Sequence, residues 1–65
     1  MLYSIAWSYN PNNGYFHDFC WTLEEVINYL KEVTSSEYKV KVVRVSEINS
    51  KSKEVKEILC LDFDR

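Results

Sequence analysis

The 65-residue chain predicts an α+β domain of order ββαββ: a four-stranded antiparallel sheet of two hairpins, with one helix, about 23–33, packed on one face. Three observations carry this. Apolar side chains alternate with period two on either side of an Asn-Pro-Asn-Asn-Gly segment; one apolar stripe of helical period follows Thr22; and two β-branched or aliphatic runs near the C-terminal end flank a polar loop.

Leu2–Tyr9 sets Tyr3, Ile5, Trp7 and Tyr9 on one face and Leu2, Ser4, Ala6 and Ser8 on the other, as a strand does. The segment from Asn10 to Gly14 ends it, because Asn and Gly tolerate the positive φ that tight hairpins need. Tyr15–Cys20 then returns antiparallel, with Tyr15, His17 and Phe19 opposing Phe16, Asp18 and Cys20.

Thr22 and Glu25 form a capping-box pair: the Thr hydroxyl accepts from the N3 amide and the Glu carboxylate reaches back to the Thr amide. Glu24 and Glu25 also lie in the first turn, where the helix dipole favours negative charge. The helix therefore starts at Leu23, buries a stripe of Leu23, Val26, Ile27, Leu30 and Val33, and ends at Thr34-Ser35-Ser36.

Tyr38–Glu47 alternates through Tyr38, Val40 and Val42 and then slips phase to Val43 and Val45, which implies a β-bulge near Val42-Val43 or a strand buried on both faces. A polar loop, Asn49 to Glu54, leads to the last strand, Val55–Phe63. There Glu57, Leu59, Leu61 and Phe63 oppose Lys56, Ile58, Cys60 and Asp62.

A chain of this length supports one small domain, 1–65, of modest stability, since it buries only about 60% of the surface its unfolded state exposes. Cys20 and Cys60 sit in apolar runs outside any CxxC pattern. They read as two small buried hydrophobes in a reducing cytosol, with a single disulfide as the alternative. No secretory pattern opens the sequence and no apolar run reaches the ~18 residues of a membrane span, so a soluble, cytoplasmic protein is expected. Lys, Asn, Ile, Tyr and Phe are plentiful while Ala, Gly and Pro occur once each, usage that suits an AT-rich bacterial or phage genome.

Catalysis finds little support. His17 is the only histidine, and in a strand it points away from both Asp18 and Cys20, so neither a His-Asp nor a Cys-His dyad forms locally. His17, Asp18, Cys20, Cys60, Asp62 and Asp64 match no zinc or calcium spacing; no metal and no other cofactor is expected.

Lys39, Lys41, Lys51, Lys53 and Lys56 could serve a small nucleic-acid binder, with exposed rings as stacking platforms. The charge balance opposes it. Net charge is −2; Met1 to Leu30 holds three acidic and no basic residues, and the lysines interleave with Glu47, Glu54 and Glu57. Lysines on strand edges also deter aggregation without any ligand.

Seven of the ten aromatics fall between Tyr3 and Trp21. A single three-turn helix cannot cover all of them, so a surplus aromatic face is expected, and Tyr3, Trp7, Tyr9, Tyr15 and His17 are the candidate partner-binding residues. The leading functional expectation is a small non-enzymatic protein-binding module: a homodimeric regulator or inhibitor of the kind phage and mobile elements encode, acting on a host protein complex. An aromatic-lined small-ligand binder is a third reading. Trp7 is expected to serve association, and Trp21, at the helix entrance, to serve stability.

Overall fold

The computed structural model describes residues 2–35 and 39–63. Strand β1 is Leu2–Ser8, β2 is Phe16–Cys20, helix α1 is Leu23–Ser35, β3 is Val42–Ile48 and β4 is Val55–Asp62. All four strands join one sheet in the order β2-β1-β3-β4, each neighbouring pair antiparallel. The α+β architecture is thus the one the sequence predicts, and the two hairpins are fused through β1 and β3. Their register sets Ile5 opposite Val45 at the centre.

The order follows from the helix. Antiparallel pairing on both sides of β1 makes β2 and β3 parallel to each other, so α1 is the crossover between them and must pass over β1. It does, lying closest to β1 and β2. The protein measures 36 × 23 × 17 Å, and the shortest extent accommodates one sheet and one helix with no third layer.

The core lies between α1 and the face of the sheet built from Tyr3, Ile5, Cys20, Val43 and Val45, capped by Val26. Ile5, Val43 and Val45 are fully enclosed, each worth about 1.5–3 kcal/mol of transfer from water. Trp7, Tyr29, Leu30, Val40, Leu59 and Leu61 pack around them, partly buried.

Helix α1 opens as the capping box requires, with Thr22 Oγ1 accepting from the Glu25 N–H at 3.2 Å and the Thr22 carbonyl accepting from the Val26 N–H at 3.1 Å. Glu25 Oε1 accepts from the Thr22 hydroxyl at 3.3 Å rather than reaching the Thr22 amide. Thr34 and Ser35 remain helical, their hydroxyls donating to the carbonyls of Leu30 and Glu32. Ser36 lies outside the described residues.

The expected helical stripe is rotated. Val26 and Val33 are buried and Leu30 half-buried, but Leu23 and Ile27 are more than half exposed. The inward face is centred on Val26, Tyr29, Leu30 and Val33, because Tyr29 bonds to Trp7 on β1 and pulls that side of the helix down.

The first turn is not a two-residue hairpin. Pro11–Asn13 forms a 3-10 turn that Asn10 caps with its side-chain oxygen on the Asn12 N–H. Gly14 closes the loop at φ 105°, where a side chain would be strained. Ser8, 1% exposed, pins both ends: its hydroxyl donates to the Gly14 carbonyl at 2.7 Å and accepts from the Asn10 N–H at 3.0 Å.

The third strand begins at Val42, later than expected; Tyr38 lies outside the described residues and Lys39 to Lys41 precede the strand. At its entrance the Lys41 N–H donates to the Ser8 carbonyl although Val42 is the Cα partner of Ser8, so two residues face one. A register shift occurs elsewhere: Val45 pairs Leu59 and Ser46 pairs Glu57, leaving Ile58 as the additional residue of β4. That shift overturns the expected parity of β4. Lys56 falls on the helix side with Leu59 and Leu61, while Glu57 falls on the open side with Cys60.

Candidate protein-binding face

The face of the sheet turned away from α1 can be read row by row from the register. Leu2 pairs Ile48, which pairs Val55. Cys20 pairs Tyr3 and points into the core; Trp21 follows it at the bend into α1, one position past that pair and so level with Leu2, with its side chain in solvent. The end row is therefore Trp21, Leu2, Ile48, Val55. The next is Phe19, Ser4, Ser46, Glu57, and the third is His17, Ala6, Arg44, Cys60.

The first row has no ionisable side chain, and its outer members are open to solvent: Trp21 is 70% and Val55 66% exposed, with Phe19 beside them at 57%. Leu2 and Ile48 are half-buried. Since large rings cover 150–250 Å² each, these five residues leave on the order of 400–500 Å² of apolar surface. That is the size of the largest apolar patch on a typical monomer, a patch that is often functional. The centre of the face is flat, with Ser4, Ala6 and Ser46 as its small side chains, and Arg44 Nε lies 4.0 Å from Glu57 Oε1 across β3 and β4.

The expected partner-binding set divides. Tyr3, 8% exposed, belongs to the core. Trp7 lies on the helix side, stacked on Phe16 with ring centroids 4.6 Å apart, its indole N–H donating to the Tyr29 hydroxyl at 2.9 Å. Neither contributes to the open face, because the odd positions of β1 all point beneath α1. Tyr9 and Tyr15 are exposed and, with Asn10, Gly14 and Phe16, line a shallow cleft of about 180 Å³ at the first turn. His17 is exposed on the open face opposite Ala6. The five residues thus occupy three separate places.

Leu2, Phe19, Trp21, Ile48 and Val55 were not assigned to binding by sequence reasoning, which gave Trp21 a stabilising role instead. The available signal was the inward Cys20: once it is core, alternation sends Phe19 outward. Leu2, Ile48 and Val55 become neighbours only through the pairing of β1 with β3.

The two cysteines differ. Cys20 is buried, and burial, reinforced by the charges of Glu25 and Asp18, pushes its thiol pKa up. Cys60 is exposed, which corrects the expectation that both are buried. They lie on opposite faces of opposite edge strands, separated by three strand spacings, about 14 Å, and by three residues along the strands as well, too far for a bridge within the chain. His17 and Cys60 share a row but are separated by the same three strand spacings, and His17 and Cys20 point to opposite faces. No group of three or more potential metal ligands occurs among the described residues; Asp64 lies outside them.

The lysines fall into two groups. Lys39 and Lys41 lie at the entrance of β3, whereas Lys51 and Lys53 occupy the β3–β4 turn and Lys56 the start of β4. The length of β3, about 20 Å or more, separates them. Among the described residues, no helix is long and apolar enough to cross a membrane.

No protein-family model, curated protein or solved structure matches the chain.

Proposed function

We propose that this chain is a non-enzymatic protein-binding module that acts as a regulator by occupying a surface, with the apolar end of its open sheet face as the contact. One observation carries the reading: at the end row Trp21, Leu2, Ile48 and Val55, the large apolar side chains of Trp21, Val55 and the neighbouring Phe19 stand in water on the face turned away from α1. Each such side chain forgoes about 1.5–3 kcal/mol of burial, a large sum for a domain whose whole stability is on the order of 5 kcal/mol. The surface is aromatic at one side and uncharged along its row, the composition that interface centres favour. The separation of His17 from both thiols supports a role without bond chemistry. The two lysine groups, a strand length apart, lend no support to a nucleic-acid role.

Affinity capture from source-cell lysate tests this with the wild-type chain and Phe19→Ser as paired baits. A protein held by the wild type and lost with Phe19→Ser is the expected result. Equal retention by both baits, or no retained protein together with strictly monomeric behaviour, rejects the reading.

A further inference from the structure

We infer that the occupant of this apolar end is a second copy of the same chain, related by a two-fold axis that runs parallel to the strands and between β1 and β3. The inference rests on the reading of that end as a protein contact and names the partner.

Area is the first argument. A standard interface covers about 800 Å² per partner, and homodimer interfaces are roughly 65% apolar, so each copy must supply about 500 Å² of apolar surface. The five residues of the end row and Phe19 expose on the order of 400–500 Å². The serines of the second row and the polar side chains around it complete a rim of the remaining size.

Self-complementarity is the second. A two-fold contact must pair each residue with one that fits it in both directions. Rotation about the stated axis exchanges the two sides of the sheet while keeping each row on itself. In the end row it brings Trp21 onto Val55 of the second copy and Leu2 onto its Ile48, so the largest ring meets a short branched side chain and two mid-sized aliphatics meet each other. In the second row Ser4 meets Ser46, leaving a shallow centre into which the rings can lean, and Phe19 comes onto Glu57 of the second copy, where its ring covers the aliphatic stem while the carboxylate stays at the edge beside Arg44 of its own chain. The twist of each sheet makes rows further from the contact diverge, so Arg44 and the charged end of Glu57 stay at the wet margin.

Charge is the third. The row carries no ionisable group, and Glu57 already has Arg44 beside it within its own chain. A net charge of −2 per copy is small, and at physiological salt, with a screening length of about 8 Å, it does not oppose pairing.

Sedimentation equilibrium of the full chain from low to high micromolar concentration provides the test. The expected result is a reversible monomer–dimer equilibrium, with tryptophan emission moving to the blue as concentration rises because Trp21 leaves water. Val55→Lys and Trp21→Val should each weaken dimerisation at least about tenfold while leaving the far-ultraviolet circular dichroism of the monomer unchanged. Combining Trp21→Val with Val55→Trp restores a ring opposite a branched side chain across the axis and should recover most of the lost affinity.

A dimer indifferent to both single substitutions overturns the inference, as does failure of the combined variant to recover. A chain that stays monomeric throughout, with emission independent of concentration, overturns it without any variant. If that monomer still holds a different protein through Phe19, only the second-copy assignment falls and the protein-binding reading stands.

Discussion

The Trp7 indole N–H donates to the Tyr29 hydroxyl over 2.9 Å, tying the far end of β1 to the middle of α1. The same Trp7 ring stacks on Phe16, and Phe16 on Tyr9 at 5.8 Å between centroids. One residue therefore anchors the helix, the edge strand and the first loop. Trp21, expected to have this structural duty, stands 70% exposed. Trp7 thus holds the structural position that the sequence suggests for Trp21.

Trp7→Ala should accordingly cost about 3–5 kcal/mol, the range for truncating a packed large aromatic. Tyr29→Phe removes only the hydroxyl and should cost about 1 kcal/mol. Urea unfolding of both variants and of the double variant checks this: in the combination the Tyr29 effect should largely vanish, since its partner is already gone. Full additivity would mean that the hydrogen bond contributes nothing.

Trp21→Ala should change the stability of the monomer by no more than about 0.5 kcal/mol, as expected for an exposed position. The measurement is thermal or urea unfolding at concentrations where the wild type is monomeric. A loss of several kcal/mol would place Trp21 back in the fold.

Ser8→Ala deletes two hydrogen bonds from a buried hydroxyl and leaves the Gly14 carbonyl and Asn10 amide without that partner. A cost of about 1–3 kcal/mol is expected, together with faster amide exchange across Asn10 to Gly14. Unchanged exchange there would show that the loop holds its shape without Ser8.

Lys53 adopts φ 60° in the β3–β4 turn, where Asn49 organises the chain by accepting the Lys51 and Ser52 amides on its side chain and the Lys53 amide on its carbonyl. A left-handed residue with a Cβ is strained by about 1–2 kcal/mol. Lys53→Gly relieves this but loosens the unfolded chain, for a net gain of up to about 1 kcal/mol in the urea midpoint analysis. A destabilised variant would indicate that the Lys53 side chain, not its backbone, supports the turn.

Cys20 keeps its proton to higher pH in the folded chain than in the unfolded one, chiefly through burial and then through Glu25 and Asp18. A raised folded pKa contributes stability fully below the unfolded thiol value, about 8.5, and loses it as pH rises through the folded value. Tyr29 is shifted in the same direction, burial being the leading cause, so its contribution fades at higher pH still. Stability should fall steadily above about pH 8.5, and Cys20→Ala should flatten the first part of the fall. At neutral pH a thiol reagent should modify Cys60 promptly and Cys20 only on unfolding. Equal rates for both would contradict the buried position of Cys20.

The order of elements was legible in the 65 residues because each is marked locally. Period-two alternation, the Thr22–Glu25 cap and the polar runs at Asn10 and Asn49 depend only on neighbours within a few positions. The helix start at Leu23 and the sets that share a face within one strand, Tyr3, Ile5, Trp7 in the first and Phe16, Asp18, Cys20 in the second, follow from such signals. Which of two faces α1 covers does not, since alternation defines two sets of side chains but not which of them lies beneath the helix. Tertiary packing decided that Tyr3 and Trp7 go inward, that Leu23 and Ile27 slip to the flank of α1, and that an additional residue at Ile58 resets the parity of β4. The pairing of β1 with β3, a contact between residues some forty positions apart, joined Leu2 at the end of the first hairpin to Ile48 and Val55 of the second, and no local pattern encodes a neighbour that distant.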